Sequence, residues 1–271
     1  MIPSPRLAGL FVYPVKSTAG LAVGDAGVET RGLTGDRRWM VTDGGGDFLS
    51  GREFPKLVLI RAAPAGGGIV LSAPGMPDLQ VPTPDGVGPR VDVTVWEDTL
   101  AALPAGADAD AWVSEFLHTD GRLAFMDSAC ARELRGFRGL AADQVSFADN
   151  YPLLGVSRAS LDDLSRRIGE PMDVRRFRPN LIFDGCEAYA EDRWRRLRIG
   201  QVEFDGAERC SRCAFTIIDP DTASAHPAQE PLRTLGRYRR GNDGAVYFGL
   251  NLIPRGGGRI RVGDEINVLR S

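Results

Sequence analysis

The stretch Arg90-Val91-Asp92-Val93-Thr94-Val95-Trp96 alternates polar and apolar residues as far as Val95. A period of two puts alternate side chains on opposite faces, so this segment reads as a half-buried strand. Working outward, residues 7–13 form an apolar strand that stops at Pro14, which lacks a ladder N–H. Strands follow over 21–28 and 37–42. The run Asp43-Gly44-Gly45-Gly46-Asp47 then turns the chain into Phe48-Leu49, a hairpin signal. Further strands are expected over 57–62, 68–72 and 79–81. Beyond the anchor stretch, strands are expected over 152–156, 180–183, 198–199, 202–205, 214–218, 246–253, 259–262 and 265–268. Gly263-Asp264 reads as the turn of a hairpin between the last two.

Only two helices stand out. Residues 105–117 can place Ala107, Trp112 and Phe116 on one face, with Asp108 or Asp110 near the N-terminus. Residues 158–168 repeat Leu161, Leu164 and Ile168 at helical spacing behind Ser157, a good N-cap. Residues 132–149 are dotted with glycine and read as loop. The 33 glycines and 18 prolines suit short strands joined by many turns. The expected fold is a β-rich α+β protein, a β-barrel-like core with an added subdomain. The division falls near the first helix, giving units of about 1–105 and 106–271.

The 271 residues suffice for one large or two modest domains. A hydrophobic share of 43% and a charged share of 25% are ordinary globular values. The net charge of −3 gives no sign of an electrostatic nucleic-acid binder, whose signature is a basic face and a high pI. The N-terminus Met1-Ile2-Pro3-Ser4-Pro5-Arg6 lacks the apolar core of a signal peptide, and no apolar run reaches membrane-helix length. Four irregularly spaced cysteines, Cys130, Cys186, Cys210 and Cys213, do not form a secreted disulfide framework. A soluble, cytoplasmic protein is expected.

Cys210-Ser211-Arg212-Cys213 is the sharpest local motif. A zinc site would need two more ligands from Cys130, Cys186, His118 and His226, none at metal spacing. A thioredoxin-like pair would need a βαβ context, whereas both flanks read as strand. Two buried structural cysteines are the bland alternative. A thiolate ligand to a soft transition metal is the fourth reading.

Separated motifs supply the context for choosing. They are Tyr13-Pro14-Val15-Lys16-Ser17, the run from Gly32 to Val41 (GLTGDRRWMV), Arg176-Phe177-Arg178-Pro179-Asn180, the run from Ala188 to Trp194 (AYAEDRW), Ile199-Gly200 and the CSRC motif. In this order they resemble the MOSC domain family and, within it, the amidoxime-reducing proteins of mitochondria and their bacterial relatives. The earliest motifs resemble the β-barrel module that precedes MOSC in those proteins. The membrane anchor of the eukaryotic relatives and the fused ferredoxin domain of some bacterial ones are not seen in the sequence.

The resemblance implies a molybdenum cofactor of the molybdopterin type, with Cys213 as the metal ligand and Cys210 as a non-ligand. It assigns Lys16, Ser17, Arg37, Arg178 and Asn180 to the pterin and its phosphate. Ser211 and Arg212 flank the ligand, and Asp149, Asn150 and Tyr151 line the pterin. Arginine forks and a lysine point charge suit a phosphate. Pro179 is expected to hold Arg178 in extended backbone. Glu191 and Asp192 read as first-turn helix charges rather than a substrate-side acid.

The implied activity is reduction of N-hydroxylated compounds such as amidoximes, hydroxylamines and N-hydroxylated bases. Electrons would come from a separate donor protein of ferredoxin, cytochrome b5 or flavin-reductase type, with no nucleic acid or membrane involved. The alternatives are a persulfide carrier in metal–sulfur cofactor assembly and a non-catalytic cofactor carrier.

Overall fold

The computed structural model describes residues 4–271. Met1, Ile2 and Pro3, part of the N-terminus read above, lie outside the described residues. The fold is β-rich, with three α-helices among the described residues. These are α1 (Ala107–Leu117), α2 (Arg158–Ile168) and α3 (Leu232–Tyr238).

The largest sheet has eight strands, in the order Ile266–Arg270, Arg196–Ile199, Val202–Ser211, Tyr247–Pro254, Leu153–Ser157, Leu181–Asp184, Arg6–Val12 and Leu21–Val23. Leu153–Ser157 and Leu181–Asp184 run parallel, and the parallel step is made possible by α2 in the connection between them. Ser157 caps α2 as expected, its side chain accepting from the Ser160 amide. Register shifts in Val202–Ser211 bend the sheet near its end. A three-stranded sheet of Gly258–Arg261, Asp25–Glu29 and Gly32–Leu33 shares its core, with Val28, Leu33 and Ile260 packed against Leu7, Leu10, Phe183, Phe204 and Leu252. Strands from both sheets thus enclose one apolar interior, the packing of a barrel.

A second core is built from the first half of the chain. The strand Val91–Val95 pairs with Asp98–Pro104, then Gly121–Phe125 and Trp39–Asp43. The alternation of the anchor stretch holds only in part: Val93 and Val95 are buried, whereas Val91, on the same face, is 40% exposed at the start of the strand. Arg61–Ala65, Gly68–Ser72 and Leu79–Pro82 make a separate meander. Trp112, Val113, Phe116 and Leu117 of α1 pack into this unit against Val41, Leu57, Leu71 and Leu123. The division expected at residue 105 would therefore cut α1 from its packing partners. It would also leave Arg6–Val12 outside the sheet it belongs to.

Several expected elements take other forms. Residues 57–62 are a 3-10 turn, Pro55–Leu59, followed by a strand, because Pro55 presets the first helical position. Residues 214–218 are likewise a 3-10 turn, Ala214–Ile217. Residues 21–28 break at Gly24 into two strands belonging to different sheets. The expected hairpin at Gly263-Asp264 does not pair with itself: Gly258–Arg261 joins Asp25–Glu29, and Ile266–Arg270 joins Arg196–Ile199.

Candidate active site

Five chain segments meet where the large sheet gives way to loops. They follow Arg6–Val12, lead into Trp39–Asp43, precede Leu153–Ser157, precede Leu181–Asp184 and follow Val202–Ser211. Between them lies a cleft of about 890 Å³. Every residue assigned from the sequence lines it: Lys16, Ser17, Arg37, Asp149, Asn150, Tyr151, Arg178, Asn180, Ser211, Arg212 and Cys213.

The backbone is special at three of these positions. Ser17, Arg37 and Arg178 have φ of 68°, 48° and 56°. Left-handed backbone is uncommon for residues with a side chain and collects at ligand sites. The extended backbone expected for Arg178 is thus corrected. Arg178 ends the 3-10 turn Val174–Phe177, its amide donating to the Arg175 carbonyl at 3.0 Å. Proline disfavours right-handed helix at the preceding residue, and here the chain turns left-handed instead of extending.

The cations are held differently. The Lys16 ammonium, 7% exposed, donates to the Phe147 carbonyl at 2.8 Å and to Asp149 Oδ1 at 2.5 Å. That leaves one of its three N–H bonds free. Burial pushes its pKa down from the usual lysine value, opposed by the Asp149 carboxylate. Arg37 donates to Asp36 Oδ2 at 2.5 Å, to Asn180 Oδ1 at 3.0 Å and to the Arg178 carbonyl at 3.2 Å. Arg178 donates from Nη1 to the Thr18 carbonyl at 2.6 Å, while its Nη2 is buried without a partner. Desolvation pushes its pKa down to about 10. An unpaired buried guanidinium is costly unless something anionic completes it.

Asn180 has no capacity to spare. Its carbonyl accepts from Arg37 and the Leu154 amide, and its NH₂ donates to Phe11 O and Asp36 Oδ1. Four bonds exhaust a primary amide, so Asn180 serves the cleft by fixing Arg37. Arg212 lines the cleft beside Cys213 as expected, and its guanidinium donates to the Cys210 sulfur at 2.9 Å and the Phe177 carbonyl at 2.8 Å, with Nε buried and unpartnered. Ser17 Oγ accepts from the Gly51 amide at 3.3 Å and keeps its own proton for donation. Tyr151 is buried, with its hydroxyl on the Phe137 carbonyl at 3.3 Å.

The cysteines separate by environment. Cys130 and Cys210 each pack into or against a different apolar cluster, and Cys186 packs against a third. The four are therefore not gathered as a zinc site. Cys213 is exposed, faces the cleft and makes no side-chain hydrogen bond among the described residues. Burial pushes the Cys210 thiol above its usual pKa, with Arg212 opposing.

Two buried residues escaped the sequence reading. Asp36, fully buried, accepts from Tyr13 N, Arg37 and Asn180, tying together the first and second halves of the chain. Arg132 sits in the segment read as loop. It donates to Asp98 at 2.7 Å and to the carbonyls of Ser146, Ala148 and Asp149 at 3.1, 2.5 and 3.0 Å. Asp36 stood inside a quoted motif; nothing in the local pattern marked Arg132. Glu191 and Asp192 stay structural: Glu191 is buried on Ser157 N and Ser160 Oγ, and Asp192 pairs with Arg239.

Comparison with known proteins agrees with this geometry. Residues 4–120 match the MOSC N-terminal beta barrel domain and residues 142–267 match the MOSC domain. The chain belongs to the MOSC family, in the two-module form that carries the N-terminal barrel. Mitochondrial amidoxime-reducing component 1 of Mus musculus is 36% identical, aligned over 97% of this chain and 82% of its own length. The Homo sapiens protein of the same name is 34% identical over 97% and 82%. Mitochondrial amidoxime reducing component 2 of Bos taurus is 34% identical over 95% and 81%. No helix among the described residues is long and apolar enough to cross a membrane.

Proposed function

We propose that this chain is a molybdenum-cofactor-dependent oxidoreductase that reduces N-hydroxylated compounds to amines or amidines. The observation that carries the reading is Cys213, an exposed thiol with a free sulfur, opening on a cleft in which Arg178 Nη2 is buried without a hydrogen-bond partner. Its relatives are named for reducing amidoximes.

The donor set fits a metal-bearing pterin phosphate. A thiolate suits a soft transition metal. The buried, unpartnered Nη2 of Arg178, the free N–H of Lys16 and the Ser17 hydroxyl supply donors for phosphate oxygens. Arg37, held by Asp36 and Asn180, adds positive charge to the same pocket. Asp149, Asn150 and Tyr151 form the wall along which a pterin would lie. When bound, the cofactor supplies two-electron removal of the oxygen of an N–OH group, which with two protons leaves as water.

The chain's own part is to bind and orient. Cys213 supplies a fixed sulfur at the end of a strand, just where the 3-10 turn Ala214–Ile217 begins. The Thr216 hydroxyl and amide both return to the Cys213 carbonyl, at 2.9 and 3.1 Å, so the ligand's backbone is tied down. Arg132 holds the carbonyls of the 146–149 loop, and with them the carboxylate that faces Lys16. Electrons are supplied by a separate protein of ferredoxin, cytochrome b5 or flavin-reductase type.

The test is turnover of benzamidoxime to benzamidine by the molybdenum-loaded protein with an artificial reductant. Product formed by wild type and absent with Cys213→Ala supports the reading. A fully loaded wild type that forms no benzamidine, hydroxylamine product or reduced N-hydroxylated base contradicts it and favours a carrier.

A further inference from the structure

Arg37 and Arg178 bring like charges into one pocket from distant parts of the chain, and both lie against the same ring. The guanidinium carbon of each is 4.3 Å from the centroid of Tyr13. Arg37 has the Asp36 carboxylate as a partner, whereas Arg178 donates only to the Thr18 carbonyl. For Arg178 the Tyr13 ring face is the nearer of two aromatic surfaces, the Phe215 ring lying farther off at 5.5 Å. An aromatic face attracts cations through its quadrupole, more strongly when both are desolvated.

The ring is itself fixed. Tyr13 is 1% exposed. Its hydroxyl donates to the Pro179 carbonyl at 3.2 Å, beside Arg178, and its amide donates to Asp36 Oδ1 at 2.8 Å, beside Arg37. Space is reserved for it as well: a Cβ at Gly20 would lie 2.4 Å from the ring. The sequence gives Tyr13 only as the first letter of a motif, and no site role falls on it there.

We propose that Tyr13 is a positioning residue, a stacking platform that sets the spacing and direction of the Arg37 and Arg178 guanidiniums as a preorganised anion clamp. Groups held ready in the bound geometry bind more tightly because less ordering is left to do. That the anion is the cofactor's phosphate rests on the function proposed above; the clamp geometry does not. The platform works through the ring face, so phenylalanine should serve and leucine should not.

Two readouts on wild type, Tyr13→Phe, Tyr13→Leu and Gly20→Ala test it. The first is the rate at which phenylglyoxal modifies Arg37 and Arg178 in apo-protein, followed by peptide mass spectrometry. Tyr13→Phe should react as wild type does, and Tyr13→Leu and Gly20→Ala about thirtyfold faster, the equivalent of one lost desolvated cation–π contact. The second is molybdenum per chain after gel filtration at rising ionic strength. Wild type and Tyr13→Phe should hold molybdenum to higher salt than the other two. Thermal unfolding confirms which variants are folded, and Gly20→Ala carries the comparison if Tyr13→Leu is not. Equal modification rates in all folded variants overturn the clamp, as does Tyr13→Phe behaving like Tyr13→Leu. Absence of molybdenum from wild type contradicts the functional reading instead, and the phenylglyoxal rates still decide the clamp.

Discussion

The guanidinium of Arg212 donates to the Cys210 sulfur at 2.9 Å, while Cys213 in the same motif leaves its sulfur free in the cleft. One cysteine of the pair is thus engaged by the protein and the other is available. The thiolate is the reactive species, and burial suppresses it at Cys130, Cys186 and Cys210, the second of which is pushed up to about 11. Iodoacetamide treatment of apo-protein should therefore label Cys213 at least about tenfold faster than the other three. Peptide mass spectrometry over time reads the rates. Faster labelling of Cys210 would reverse the assignment of the pair.

Arg178 illustrates a binding group that works against the empty fold. Its guanidinium is desolvated, with Nη2 unpartnered. Arg178→Met should leave the melting temperature of the apo-protein unchanged or raised, since removing an unpaired buried charge relieves a cost. The same change should weaken cofactor retention by about 1.5–3 kcal/mol, the worth of a charge-assisted hydrogen bond. Calorimetry on the apo-protein and molybdenum content after dialysis report the two effects separately. A large apo destabilisation with normal retention would make Arg178 a structural residue.

Arg132 should behave in the opposite way. Its removal leaves Asp98, 14% exposed, with only the exposed Arg135 at 3.3 Å, and strands three loop carbonyls. Breaking such a buried pair typically costs about 3–5 kcal/mol. Urea unfolding of Arg132→Ala should show a loss of that order, with Arg132→Lys recovering only part because it lacks the fork. A loss below about 1 kcal/mol would place the loop's rigidity elsewhere.

Glu191 gives a pH signature. Burial raises its pKa, with the bonds from Ser160 and Ser157 opposing, and Oε2 has no partner. An acid whose folded pKa lies above its unfolded value binds its proton more tightly in the native state. Its contribution is fully present below the unfolded pKa and is lost as pH rises through the folded one. Glu191→Gln should match wild type near pH 4 and exceed it in melting temperature near neutral pH. Parallel curves for the two proteins across that range would show that Glu191 is not desolvated in the way described.

Local pattern made much of this fold legible. The strand at Val91–Val95, the Ser157 cap and the period of α2 depend on neighbours in sequence, and each appears where expected, although Val91 is exposed and Trp96 lies beyond the strand. Sheet partners do not depend on neighbours. Gly263-Asp264 has turn chemistry, yet the strands beside it are recruited by Asp25–Glu29 and Arg196–Ile199, far away in the chain. Gly121–Phe125 opens on a glycine and ends in three consecutive apolar residues instead of alternating, and α3 carries Gly236 in its interior, so neither announces itself. In the cleft, residues in recognisable motifs were legible as a set. The division of labour among them was not, because it depends on which hydrogen bonds are already spent, as at Asn180 and Arg212.

The most direct test of the account is elemental analysis of the purified protein from a molybdenum-replete host, comparing wild type, Cys213→Ala and Cys210→Ala. Near-stoichiometric molybdenum in wild type and Cys210→Ala, with most of it lost in Cys213→Ala, is the predicted result. Molybdenum retained by Cys213→Ala, or zinc in its place throughout, would contradict the assignment of Cys213 as the metal's protein ligand.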